Sequence, residues 1–297
     1  MLHLSRQDAH PTVHTGRARG TVPALVAFMG LALALVTALP RAARAQMTVD
    51  QLELVLAPAG ALRHAGVFTV ANEGTKPLQA TLSVADWDRD DDGTNRFFPS
   101  GTLPQSCASR IKVFPLTLRL DPGASQAVQV SMEGSDSLSA TCWAIVFVES
   151  VQGQAQATRG PQLLYVLRTG IKVYVEPSGL EREGGIEDLQ VRPRVPTPAG
   201  AAGQLRRDTS HATSEVAIVF RNTGGLPLLT RGAVEIRRQD NSLVAKVDVP
   251  EFPTLPGAAR RLAVPLPALP PGQYVLLSLL DYGGAELAAG RLDFEAR

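Results

Sequence analysis

The chain has 297 residues, 44% of them apolar, with 29 basic against 28 acidic groups. That length suits one large domain or two ordinary ones, and a near-neutral balance leaves no basic surface for nucleic acid. Five histidines and two cysteines are too few, and too scattered, for a dense metal centre or a disulfide-stapled miniature fold.

Residues 1–45 read as a secretory signal peptide. Arg6, Arg17 and Arg19 lead into the apolar run Val22–Pro40, and Ala43-Arg44-Ala45 supplies an A-x-A cleavage site. A run of about 19 residues just reaches spanning length, so an uncleaved anchor is the alternative. Cleavage leaves 24 basic and 27 acidic groups and no second apolar run long enough to cross a membrane. In an oxidising compartment, Cys107 and Cys142 are expected to form a disulfide worth on the order of 3 kcal/mol; the alternative is two separately buried thiols.

From Met47 onward, short β-prone runs alternate with Gly, Pro, Asn and Asp, and a 3.6-residue period is almost absent. In the first half the pattern predicts strands at Val49–Leu56, Gly66–Asn72, Leu78–Trp87, Ile111–Leu120, Gln126–Met132, Cys142–Glu149 and Gln162–Val175. Turns fall at Asn72-Glu73-Gly74 and Asp121-Pro122-Gly123, where Gly and Pro supply torsions that β-branched neighbours cannot. In the second half strands are predicted at Leu189–Val195, Glu215–Asn222, Ala233–Gln239, Val244–Val249, Arg261–Pro265, Tyr274–Asp281 and Glu286–Phe294, with a surface loop at Pro196–Ala212. The fold class is therefore all-β, with two tandem immunoglobulin-like β-sandwich domains: residues 46–177, a polar glycine-rich linker at 178–186, and residues 187–297.

The stretch DWDRDDDG places Asp88, Asp90 and Asp92 at the first, third and fifth positions of a calcium loop, with Gly93 at its turn. The twelfth position is Pro99, where such a loop needs a bidentate glutamate, and neither flank looks helical. The expectation is an acidic solvated hairpin turn, followed by a short strand at Arg96-Phe97-Phe98 and pinned by Trp87 and Phe97 packing inward. Outside the leader only His64 and His211 remain, one in each half, and no G-x-S-x-G, H-E-x-x-H or phosphate-cradling glycine loop occurs. The reading is binding without turnover: no enzyme, no cofactor, no metal.

Gln162–Pro177, QLLYVLRTGIKVYVEP, resembles the last strand of the first domain of periplasmic pilus (PapD-like) chaperones, sharing the ending T-x-I-K-V/L-Y/F-x-x-P. Val113–Gly123 is similar to that family's P-x-x-x-x-L-x-P-G strand and turn, Gln126–Val130 to its next strand, and Asp281-Tyr282-Gly283-Gly284 to its terminal D-Y-G-G. On this likeness the chain is identified as a divergent member. The resemblance implies strand donation, in which an edge strand pairs with a pilin-like subunit that lacks its own final strand. Leu163, Tyr165 and Leu167 lie two apart and share one face, which looks either to a client groove or to the domain's own core. Lys172 matches the family lysine that holds the client's terminal carboxylate, a charge-assisted contact.

Two departures stand out. Glu53 lies where the family's first strand carries an arginine, and its carboxylate either repels the client's or pairs with Lys172. Arg63 and Arg168 are the candidates to compensate for the missing arginine, and the sequence does not place them at the family's interdomain cleft. The connection Gln152–Gly160 is polar and small, which implies a shorter edge or a different exported client. The function implied is a periplasmic chaperone for exported pilin-like β-rich subunits, with an outer-membrane usher as a further partner; the alternative is a secreted structural or adhesive module that releases no client.

Overall fold

A computed structural model describes residues 47–57, 64–133, 138–154, 164–194 and 214–296. Among the described residues, all of the long elements are strands. The first half contains β1 (Met47–Val49), β2 (Glu53–Leu56), β3 (Ala65–Asn72), β4 (Leu78–Arg89), β5 (Asn95–Phe98), β6 (Ile111–Phe114), β7 (Thr117–Leu120), β8 (Ser125–Met132), β9 (Cys142–Gln154) and β10 (Leu164–Val175). The second half contains β11 (Gly184–Pro193), β12 (Ser214–Asn222), β13 (Leu228–Arg238), β14 (Leu243–Thr254), β15 (Ala259–Pro265), β16 (Gly272–Asp281) and β17 (Ala288–Ala296).

Each half is a sandwich. In the first, a sheet of order β1-β3-β8-β6 faces one of order β2-β10-β9-β4, with β5 and β7 both paired to β4. Period-two patterning fills the space between them: Phe68 and Val70 from β3, Val128 and Val130 from β8, Ala80 and Leu82 from β4, and Ile171, Val173 and Val175 from β10 are all buried in one cluster. In the second, β11-β12-β15 faces β14-β13-β16-β17 around Ile218, Phe220, Val234, Ile236, Leu276 and Leu280.

Two predicted strands are each divided between sheets. Val49–Leu56 was expected as one strand, but β1 pairs with β3 while β2 pairs with β10. Asp50 makes the switch, its Oδ1 accepting the Thr69 N–H at 2.8 Å. Ile111–Leu120 divides into β6, paired with β8, and β7, paired with β4. Pro115 lies at the break, where its missing N–H cannot extend a ladder. The linker is shorter than predicted, since β11 already pairs with β12 from Gly184. The predicted loop Pro196–Ala212 and the signal segment lie outside the described residues, among which no helix is long and apolar enough to cross a membrane.

The two sandwiches are held by the same device. Asn72 is buried at the end of β3, and its Nδ2 donates to the carbonyls of Lys76 and Leu120, both at 2.9 Å, while its Oδ1 accepts the Gly74 N–H at 3.0 Å. Asn222, at the end of β12, repeats this with Leu226 O at 2.8 Å, Thr254 O at 3.1 Å and Gly224 N at 3.0 Å. The surrounding residues correspond as well: N-x-G-x-x-P-L starts at both asparagines, and P-G-A stands at Pro122–Ala124 and Pro256–Ala258. In each sandwich one side-chain amide thus sews a turn to the neighbouring corner, an Asx-type closure that satisfies buried backbone groups.

Cys107 and Cys142 are buried free thiols that adjoin each other; the Cys142 thiol and burial hold the Cys107 thiol well above the ordinary thiol range.

Candidate partner-binding edge and cleft

The outer face of the β2-β10-β9-β4 sheet should be solvated, yet it carries a third buried cluster. Trp87 of β4, Trp143, Ile145 and Phe147 of β9, and Tyr174 of β10 pack together with Leu255 from the second sandwich. The indoles are locked reciprocally, Trp87 Nε1 donating to Ala144 O at 3.1 Å and Trp143 Nε1 to Trp87 O at 2.9 Å. Trp87 and Tyr174 meet edge to face at 6.0 Å. This aromatic face is the joint between the sandwiches.

The acidic hairpin closes one side of that joint. It does form a turn, with Gly93 N donating to Asp90 O at 3.0 Å and Thr94 N to Asp90 Oδ1 at 2.8 Å. It is not, however, the solvated turn expected. Asp91 O accepts Arg261 N at 2.7 Å and Arg260 Nη1 at 2.8 Å, and Asp91 Oδ2 lies 2.6 Å from Arg261 Nε. A Cβ on Gly93, whose φ is +90°, would stand 2.2 Å from Nη2 of Arg260, so the contact requires glycine. Asp88 is turned to Arg96 at 3.4 Å, and among the described residues no three acidic, His or Cys side chains group to hold a metal. Trp87 is fully buried, as expected. Phe97 is 47% exposed and lies on the outer face against Phe147 at 5.1 Å, so the inward packing expected of it is not found.

The strand singled out by sequence, β10, is covered on one side by β9 along its length, whereas on the other side β2 pairs with it only over Lys172–Val175. Lys172 and Glu176 turn their N–H groups toward β2, 2.8 Å from the carbonyls of Leu52 and Leu56. Peptide groups alternate along a strand, so Val166, Arg168 and Gly170 turn theirs the same way, where none of the described residues pairs with them. The result is an open backbone edge that ends at Lys172.

Of the side chains expected on that edge, Tyr165 and Leu167 share the face of Ile171 and Val173. Leu167 packs partly against the core, whereas Tyr165 is 57% exposed. The shared face is thus the sandwich's own inner face, running out past the end of its core. Leu163 lies outside the described residues. The opposite face carries Arg168, stacked 3.5 Å over the Phe147 ring and paired with Glu149 at 2.7 Å. Arg63 lies outside the described residues.

Lys172 lies on the Trp87 face with its side chain only 19% exposed, its Nζ 2.6 Å from Glu53 Oε1 and 5.4 Å from the centre of the Trp87 ring. The register of the parallel β10–β2 pair makes this contact inevitable, because Lys172 and Glu53 are directly opposed. Of the two outcomes left open for Glu53, pairing is the one observed. Sequence reasoning missed Arg89. It ended the strand at Trp87, but β4 runs two residues further, which puts Arg89 on the Trp87 face with its guanidinium 5.5 Å from that ring. The available signal was the two-residue spacing from Trp87, obscured by the aspartates.

Solved structures similar to this chain include fimbrial chaperones. The class 5 fimbriae chaperone CfaA is 11% identical with a TM-score of 0.46, over 84% of this chain and 99% of that one. The YadV chaperone is 13% identical with a TM-score of 0.44, over 84% and 100%. A structure of the Salmonella enterica SafA pilin with the SafB chaperone gives 13% identity and a TM-score of 0.41, over 86% and 99%. No protein-family model and no curated protein matches the sequence. Likeness of this degree says nothing of what the chain binds.

At the lower end of β10, burial raises the Glu176 carboxyl above its ordinary range, with Arg182 opposing. A carboxyl whose folded value is raised adds stability while protonated and loses it as pH climbs through that value. Glu176→Gln is therefore expected to match wild type near pH 3 and to be the more stable protein at pH 7, as read from urea midpoints at both.

Proposed function

We propose that the chain is a periplasmic chaperone that binds exported, pilin-like β subunits by strand addition to β10. The observation that carries this reading is the open edge at Val166–Gly170, next to exposed Tyr165 and stopped at Lys172 by β2. An unpaired edge is a hazard that proteins blunt with charge, proline or covering structure. Here Val166 is 57% exposed and presents an apolar side chain instead, as an edge built for pairing does. A client strand laid along it has to end where β2 begins. At that point Lys172 favours a carboxylate over an ammonium, so the client would run parallel to β10 with its C-terminus in the cleft. Leu163, Tyr165 and Leu167 would supply the alternating apolar side chains.

Co-expression in the bacterial periplasm with a pilin-like subunit lacking its final strand tests this. The subunit is expected to stay soluble and co-purify, whereas the same subunit with a fused strand of its own should not be captured. Equal capture of both, or of neither, would contradict strand addition. Export also bears on the cysteines, which we read as a Cys107–Cys142 disulfide in the mature protein. Periplasmic protein is expected to show no free thiol on denaturation without reductant and two after reduction. An outer-membrane usher would receive the loaded complex.

A further inference from the structure

The adjoining thiols of Cys107 and Cys142 are shut into the core of the first sandwich, at 1% and 6% exposure. The segment that carries Cys107 is fastened to both β4 and β9. Asp86 of β4, itself 1% exposed, accepts the Leu103 N–H at 2.8 Å and the Ser106 hydroxyl, and Ser106 Oγ in turn accepts the Ala108 N–H at 3.1 Å. Cys107 N donates to Trp143 O at 3.3 Å and Trp143 N to Gln105 O at 3.2 Å, so residues 105–107 lie along the start of β9 as a short parallel rung. Thiol–disulfide exchange begins with a thiolate that brings its sulfur into contact with a sulfur of the oxidant. The folded sandwich denies both conditions, because burial disfavours the charged form and these sulfurs present no face to a second molecule.

We infer that the Cys107–Cys142 disulfide is made before the first sandwich closes, so the reaction that precedes folding is thiol–disulfide exchange on the exported, unfolded chain. The inference rests on the reading of export and of a disulfide given above, and it adds their order. The oxidant is a disulfide-bearing molecule or protein. One cysteine thiolate attacks it to give a mixed disulfide, and the other cysteine then displaces the remaining half. Two S–H bonds are exchanged for one S–S bond, and the oxidant leaves as two thiols, having taken both electrons and both protons. Client capture needs the folded edge of β10 and therefore comes after this step. A chain that folds first is held as a dithiol, and a chain oxidised first keeps its bridge against reductants for the same reason.

The rate of oxidation by glutathione disulfide tests this order. Wild type is refolded under reductant, the reductant is removed, and native Trp87 and Trp143 fluorescence confirms the folded state. Glutathione disulfide is then added to this protein and, at the same alkaline pH, to the same protein in urea, and free thiols are counted with time after an acid quench. The folded dithiol is expected to react at least about a hundredfold more slowly than the unfolded one, as core positions open only rarely. Ser106→Ala, which removes the hydroxyl shared by Asp86 and Ala108, should react faster than wild type while folded. A reduced chain that does not fold at all would also place oxidation first. Equal rates for folded and unfolded wild type would overturn the inference. Free thiols in protein taken from the periplasm would instead overturn the disulfide reading, which these rates do not touch.

Discussion

Asn72→Ala is expected to destabilise the first sandwich by about 3 kcal/mol, far more than the loss of a polar side chain from a turn would suggest. The substitution strands the carbonyls of Lys76 and Leu120 and the N–H of Gly74, and of these the Leu120 contact is the fully buried one. An unsatisfied buried group costs roughly 1–3 kcal/mol, and the two sheets meet at Leu120, so the loss is not local. Asn72→Asp keeps the acceptor but sets a carboxylate against two carbonyl oxygens, and it should be at least as damaging. Exposed Glu73→Ala, one residue away, should fall within about 0.5 kcal/mol of wild type. The measurement is direct because the chain's two tryptophans, Trp87 and Trp143, both lie in the first sandwich, so the urea midpoint of their fluorescence reports that half. A shift equivalent to less than about 1 kcal/mol would show that the amide does not hold the corner. Asn222→Ala carries the same expectation for the second sandwich, read by far-ultraviolet circular dichroism.

Much of this architecture was legible because its signals are local. Period-two runs such as VFTV and VAIVF, bounded by Asn-x-Gly and Pro-Gly, specify strands and turns without reference to the rest of the chain. What stayed hidden depends on partners distant in sequence. Whether Val49–Leu56 is one strand or two turns on Asp50 bonding to Thr69, and an apolar residue reads alike in either sheet. The same limit applied to the aspartates, whose run looked like a loop and so concealed both the continuation of β4 to Arg89 and the docking of Asp91 on Arg260, 169 residues away. The Lys172–Glu53 contact was half legible. Sequence placed the two charges in strands, and only the parallel register of β2 against β10 decided that they meet.

The second large effect concerns the open edge. Val166 turns its N–H away from β9, so a proline there removes no ladder hydrogen bond within the protein while deleting a donor from the free edge and filling the approach with its ring. Val166→Pro should therefore fold, with the Trp fluorescence transition close to that of wild type. Val166→Ala trims the side chain but leaves the donor, which separates backbone pairing from apolar contact.

The most direct measurement is capture of a strand-deficient pilin-like subunit by these two variants. Strand addition predicts a loss of more than about tenfold for Val166→Pro and near-normal capture by Val166→Ala, since backbone pairing supplies the affinity. A folded Val166→Pro protein that captures the subunit as wild type does would contradict the account.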